Sequence, residues 1–362
     1  MANLVDYIYW RGDLPFSTVP FNELDNLVLS MASYVDFGGI VPESFARYQP
    51  TLREAMELYR QKTGGRYRLG LLIPDSTMEI MTAAAASKRF GDIHLTAYRN
   101  EIDHEKVLQF SAVTFLLPDS VAFVAFRGTD DTITGWKEDL NLCLSAPIPA
   151  ELRATSYLRE VAAFFDGTVF VGGHSKGGHL AVRAASEVPV TIQKRIAAVF
   201  SNDGPGFHKD FFDSTGYLHI REKTITYIPQ SSIIGTLLDQ DTSRCVYIRS
   251  TGTGPLQHNA ISWVAGPTGF ERLDKRTRFA EQSDEAISQW LEKTNEDERK
   301  FILDSIFEVL DAPGVSTLTE FHASGFKGVQ SILRATNGQP PQTRKMVLQI
   351  FRRFFLPEND NK

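Results

Sequence analysis

The run Thr168-Val169-Phe170-Val171-Gly172 leads directly into Gly173-His174-Ser175-Lys176-Gly177, and Gly178, Ala181, Ala184 and Ala185 follow at helical spacing. The β-branched and aromatic stretch reads as a buried strand, and the small-residue stretch as a helix over 176–187. A serine between two glycines at a strand-to-helix corner is the pattern of a nucleophile elbow. The sharp turn holds the hydroxyl at its tip, and glycine on both sides lets the two backbones approach without a Cβ clash. Ser175 is therefore a candidate nucleophile toward an acyl carbon. The plainer alternative is a glycine-rich turn whose serine caps the helix.

A second stretch lies upstream. Val121-Ala122-Phe123-Val124-Ala125-Phe126 reads as a buried strand that breaks into Arg127-Gly128-Thr129-Asp130, and Gly135-Trp136-Lys137-Glu138-Asp139-Leu140 then opens a helix. In these residues the chain resembles the class 3 (fungal-type) triacylglycerol lipases, whose pattern is a strand ending in Phe-Arg-Gly-Thr/Ser, a short loop and Trp-x-x-Asp-Leu. Gln109 to Phe115 resembles the hairpin partner of that strand. The whole chain, above all Asp203-Gly204-Pro205-Gly206-Phe207 and the segment Tyr227 to Ser232, also looks like a bacterial branch of lipase-like proteins. The lipase resemblance covers about residues 107–190, weakens to about 265 and is absent beyond. It implies an α/β-hydrolase fold and ester chemistry on lipid or acyl substrates, with Thr129 giving its backbone N–H and hydroxyl to an oxyanion. The N–H of Lys176, the residue after the nucleophile, is the other donor expected. Lipases mostly carry an apolar residue there; the Lys176 side chain reads as surface solvation or, alternatively, as a contact for an anionic head group. Arg127 and Asp139 read as partners that orient the oxyanion loop.

Hydrolases of this type run nucleophile, acid, histidine along the chain. The late histidine is His258, in Thr253-Gly254-Pro255-Leu256-Gln257-His258-Asn259, just after the strand-like Val246 to Arg249. His94 and His104 precede the nucleophile, His174 and His179 sit in or beside the elbow, and His322 lies in a separate C-terminal region. His208 and His219 come before the last two expected strands. For the acid, the lipase resemblance implies a residue after the strand at Thr224–Ile228, but Ser231 and Ser232 stand there. Asp203, which ends the strand at 197–202 and opens a Gly-Pro turn, is the first choice; its alternative reading is an Asx-turn residue. Asp239 and Asp241 are the second choices.

The chain has 362 residues, 42% of them hydrophobic, enough for a large core. A net charge of −6 with scattered basic residues argues against nucleic acid as a partner. The N-terminus lacks the charged and apolar regions of a signal peptide, and no apolar run reaches membrane-span length. The 2 cysteines, Cys143 and Cys245, form neither a disulfide framework nor a zinc cluster with the histidines, so a cytoplasmic location and no metal or cofactor are expected.

Helical spacing recurs at Asn22–Tyr34, Leu52–Tyr59 and Met78–Phe90. Strands near 93–98, 110–117, 121–127, 168–172, 196–202, 224–229 and 246–250 then alternate with helices near 134–144, 154–165 and 176–187. That order predicts a mostly parallel sheet covered on both faces, with a hairpin across Pro118-Asp119-Ser120 at its edge. Residues 1–280 are thus expected to form the hydrolase domain with an N-terminal helical segment. Residues 281–362, with helical spacing at 281–291, 296–310, 324–333 and 343–355, are expected to form a helical region packed on it. Ile350, Phe351, Phe354 and Phe355 make an apolar cluster, read as docking into the protein's own core rather than as a membrane-surface anchor. Functionally the sequence supports a carboxylester hydrolase. The competing readings are a weak or inactive relative that binds lipid or a protein partner, and an acyltransferase or thioesterase on the same triad.

Overall fold

Each expected strand segment pairs with its neighbours in chain order. β1 (His94–Asp103), β2 (Leu108–Leu117), β3 (Val121–Phe126), β4 (Thr168–His174), β5 (Ile196–Asn202), β6 (Thr224–Pro229), β7 (Cys245–Ile248) and β8 (Arg272–Leu273) form one eight-stranded sheet. The computed structural model describes residues 1–45, 48–66, 69, 75–144, 146–278, 280–281, 293–311, 314–317 and 319–320. Strands β3 to β7 run parallel, while β1–β2–β3 and β7–β8 pair antiparallel. This is the mostly parallel α/β-hydrolase arrangement expected. The β2–β3 hairpin forms, but the edge belongs to β1, which the sequence reading made shorter and did not pair. β8 has two residues, too few for any periodicity to mark it.

The first seven helices in chain order are α1 (Leu4–Arg11), α2 (Glu23–Ala32), α3 (Leu52–Thr63), α4 (Ser76–Ala86), α5 (Ile133–Asn141), α6 (Pro149–Phe164) and α7 (Lys176–Glu187). Successive strand side chains point to opposite faces, and the core divides accordingly. Val113, Phe115, Phe123 and Ala125 pack with α1 to α4 on one face. Phe110, Ala112, Val124 and Phe126 pack with α6 and α7 on the other. The sequence reading passed over α1, which is fixed by a capping box: Asn3 and Asp6 each satisfy the other's backbone N–H. Helix α6 starts earlier than its apolar spacing suggested, because Pro149 sits at its first position and Glu151 accepts from the Ile148 N–H at 2.9 Å.

The expected helix near 296–310 is present as Glu296–Asp311. It packs on α5, with Lys137 Nζ paired to Asp311 and Arg299 donating to the Cys143 carbonyl at 3.3 Å. The chain then returns over the start of α5, where Ile133 N–H donates to Ser316 O at 3.0 Å. The helices expected at 324–333 and 343–355, nearly all of the one at 281–291, and the apolar cluster around Phe354 lie outside the described residues. Among the described residues, no helix is long and apolar enough to cross a membrane.

Candidate active site

Parallel register decides which residues meet. Phe126 of β3 lies beside Gly173 of β4, Gly173 beside Ser201 of β5, and His174 beside Asn202. The residues that follow these strands, Gly128 and Thr129, Ser175, and Asp203, therefore emerge side by side at the carboxyl edge of the sheet. Ligands of open α/β sheets gather at this edge.

Ser175 occupies the elbow with φ 60° and ψ −136°, a strained conformation for a residue with a side chain. Its N–H donates to Asn202 O at 3.0 Å, and α7 starts with the next residue. The two motif glycines are sterically required. A Cβ on Gly173 would strike the Gly177 backbone, and one on Gly177 would strike the Phe126 carbonyl. Among the described residues Ser175 Oγ has no hydrogen-bond partner.

His258 ends the short 3₁₀ turn Gly254–His258. That turn is anchored by its neighbour Gln257, whose side-chain oxygen accepts from Ser231 N–H at 2.8 Å and whose carbonyl accepts from the Trp263 indole at 2.8 Å. The imidazole lies 4.5 Å, centre to centre, from the ring of His174, the residue before the nucleophile. Its Nδ1 is 2.7 Å from Asp203 Oδ2, which leaves Nε2 as the nitrogen available to a substrate-side partner.

Asp203 is wholly buried and takes φ 53°, a left-handed conformation that a short polar side chain tolerates. Besides His258, its Oδ2 accepts from Ser232 Oγ at 2.7 Å. Ser232 stands where the lipase resemblance placed the acid, and here it hydrogen-bonds an acid supplied by the preceding strand. Asp241, a second choice from sequence, faces elsewhere: it is paired with Arg221 Nε at 2.6 Å and accepts from Tyr217 at 3.0 Å. Those contacts hold its carboxyl down at about 2. Asp239, the other second choice, pairs through its backbone with Phe207.

On the other side of Ser175, the Thr129 hydroxyl donates to Asp139 Oδ2. The hydroxyl expected to serve an oxyanion is thus taken by Asp139. Arg127, from the same loop, donates to Asn100 and Asp130, each at 3.0 Å, as its reading as a loop partner implied. Lys176 differs from both readings of its side chain. It is fully buried, donating to Glu138 Oε2 at 2.7 Å, Gln109 Oε1 at 2.7 Å and Gln109 O at 3.0 Å, with Asp139 Oδ1 at 3.7 Å. An ammonium with three acceptors has no donor left for solvent or a head group. Glu138 is saturated too, accepting the Gln109 and Ala150 N–H groups. A little over a quarter of the Asp139 side chain is exposed, but its Oδ1 is buried without a hydrogen bond. Burial pushes its carboxyl up to about 6, against the pull of Lys176.

Three contributors were not singled out from sequence. His174 was set aside as part of the elbow, Ser232 was noted only as the wrong residue type for an acid, and Tyr34 carried no signal at all. Tyr34 reaches His174 Nδ1 at 3.0 Å from 140 residues away.

The Mbeg1-like family model matches residues 84–308, which contain every residue of this site except Tyr34. No curated protein matches the chain significantly. Among solved structures it is similar to Rhizomucor miehei lipase in its native propeptide complex, at 13% identity over 57% of this chain and 68% of that one, with a TM-score of 0.35. It is also similar to a lipase from Rhizopus microsporus var. chinensis, at 11% identity over 75% of this chain and 85% of that one, with a TM-score of 0.37.

Proposed function

The chain belongs to the Mbeg1-like family, and on that premise we propose that it is a serine hydrolase that cleaves carboxylic esters through Ser175, His258 and Asp203. The observation that carries this reading is the 2.7 Å contact of His258 Nδ1 with buried Asp203, set on the strand beside the elbow serine. A neutral imidazole that donates from Nδ1 has its lone pair on Nε2, the form able to take a proton from a hydroxyl. Ser175 Oγ attacks the acyl carbon as Nε2 receives its proton, and the carbonyl electron pair moves onto oxygen. The N–H groups of Thr129 and Lys176 stabilise that oxyanion. The imidazolium, stabilised by Asp203, then protonates the leaving alcohol, and water repeats the sequence on the acyl-enzyme.

The chemistry of the triad extends to thioesters and to transfer of the acyl group to another alcohol. Ester or lipid substrates are the preferred class because of the lipase-like motifs around Thr129 and Ser175. Labelling with a fluorophosphonate tests the reading. The wild type should label and the Ser175→Ala variant should not; an unlabelled wild type would instead favour a lipid- or protein-binding role.

A further inference from the structure

Tyr34 lies just beyond α2, distant in sequence from Gly128 and His174, yet its hydroxyl contacts both. Gly128 of the oxyanion loop packs so closely that a Cβ there would collide with the hydroxyl. On its other side the hydroxyl is 3.0 Å from His174 Nδ1, while His174 Nε2 is 2.8 Å from the backbone carbonyl of His258.

The proton positions follow from the partners. A carbonyl only accepts, so Nε2 carries the hydrogen. A neutral imidazole has one N–H, so Nδ1 is a bare acceptor and the Tyr34 hydroxyl donates to it, with the His174 carbonyl a more distant acceptor at 3.4 Å. Burial, reinforced by the neighbouring His258, holds the His174 pKa well below its ordinary value and keeps the ring neutral. Ring contacts with His258 at 4.5 Å and Trp263 at 5.9 Å complete its packing.

We propose that Tyr34 and His174 are positioning residues: the Tyr34 hydroxyl donates to Nδ1 and holds the His174 ring in place, and His174 tethers the backbone of His258. The catalytic meaning of this tether rests on the hydrolase reading above; the tether itself does not. Without the Tyr34 hydroxyl, Nδ1 is a buried acceptor with no donor, and the ring loses one of the two hydrogen bonds that fix its orientation toward the His258 carbonyl.

Long-range ¹⁵N–¹H correlation spectra of the full chain test the tautomer directly. Wild-type His174 should be the neutral Nε2–H form at pH 7, and Tyr34→Phe should move the Nε2–H proton upfield as its hydrogen bond to the His258 carbonyl loosens. In the same variant, fluorophosphonate labelling of Ser175 and kcat on a nitrophenyl ester should fall about tenfold, with KM little changed, as expected for loss of one hydrogen bond that aligns a catalytic group. A wild-type His174 that is doubly protonated or Nδ1–H at pH 7 would overturn the tether. So would a Tyr34→Phe protein that labels at the wild-type rate. If the wild type does not label at all, the hydrolase reading fails by itself, and the tautomer still decides the tether. If Tyr34→Phe does not fold, the wild-type spectrum decides it.

Discussion

The two flanks of Ser175 are built on different physics. On the His258 flank, one buried carboxylate oxygen is shared between an imidazole and the Ser232 hydroxyl, and a quarter of the His258 side chain faces solvent. On the Thr129 flank, a buried ammonium is saturated by Glu138 and Gln109 and lies close to Asp139. In the proposed hydrolase the first flank arranges the groups that exchange protons with a substrate, so its failure should show in turnover. The second holds a loop in shape with buried charge. Removing one member of such a cluster strands its partner in low dielectric, so its failure shows in stability.

Asp203→Asn should separate the flanks most sharply. Turnover should fall by about 10³–10⁴, because the amide cannot stabilise the imidazolium, while urea unfolding stays close to wild type. Near-normal turnover would remove Asp203 from the triad. A large stability loss would erase the contrast between the flanks. Lys176→Met should do the reverse, costing about 3–5 kcal/mol of unfolding free energy by leaving Glu138 buried and unpaired. The double variant Lys176→Met/Glu138→Gln should recover much of that loss in the same urea titration. Ser232→Ala should lower kcat by about tenfold, through loss of one hydrogen bond to the Asp203 carboxylate. If esterase kinetics show no change, Ser232 is only filling the space left by the absent lipase acid.

The smallest effect is a pH dependence of stability. With its carboxyl raised to about 6 in the fold, above roughly 3.9 in the unfolded chain, Asp139 binds its proton more tightly when folded. Its contribution stabilises the fold fully below about pH 4 and is lost as pH rises through about 6. Unfolding free energies of wild type minus Asp139→Asn should therefore decline across that window and level off above about pH 7. A flat difference would mean that Lys176 fully compensates the burial of Asp139.

Much of this was legible in order and spacing. The strand-to-helix step at Ser175 is local, because steric rules for glycine and the change from period 2 to period 3.6 operate over a few residues. The choice of His258 followed from chain order, and its contact with Asp203 fits that choice. Lys176 was misjudged because a lysine is ordinarily solvated, and nothing within its own helix reveals that Gln109 and Glu138 converge on it from another strand and another helix. Tyr34 was invisible for the same reason: its partner is 140 residues away. The two serines after β6 were read as a departure from the lipase pattern. Their consequence was hidden, since a hydroxyl that supports a carboxylate from the preceding strand leaves no pattern along the chain.

Sequence alone determined the alternation of strands and helices and the elbow with its serine. These are consequences of backbone sterics and hydrophobic periodicity, which act between near neighbours. Tertiary structure decided which carboxylate meets His258, that Lys176 is buried, and that Tyr34 meets Gly128 and His174. Those outcomes depend on strand register and on how polar groups removed from water find partners across the sheet, and the partners are distant in the chain.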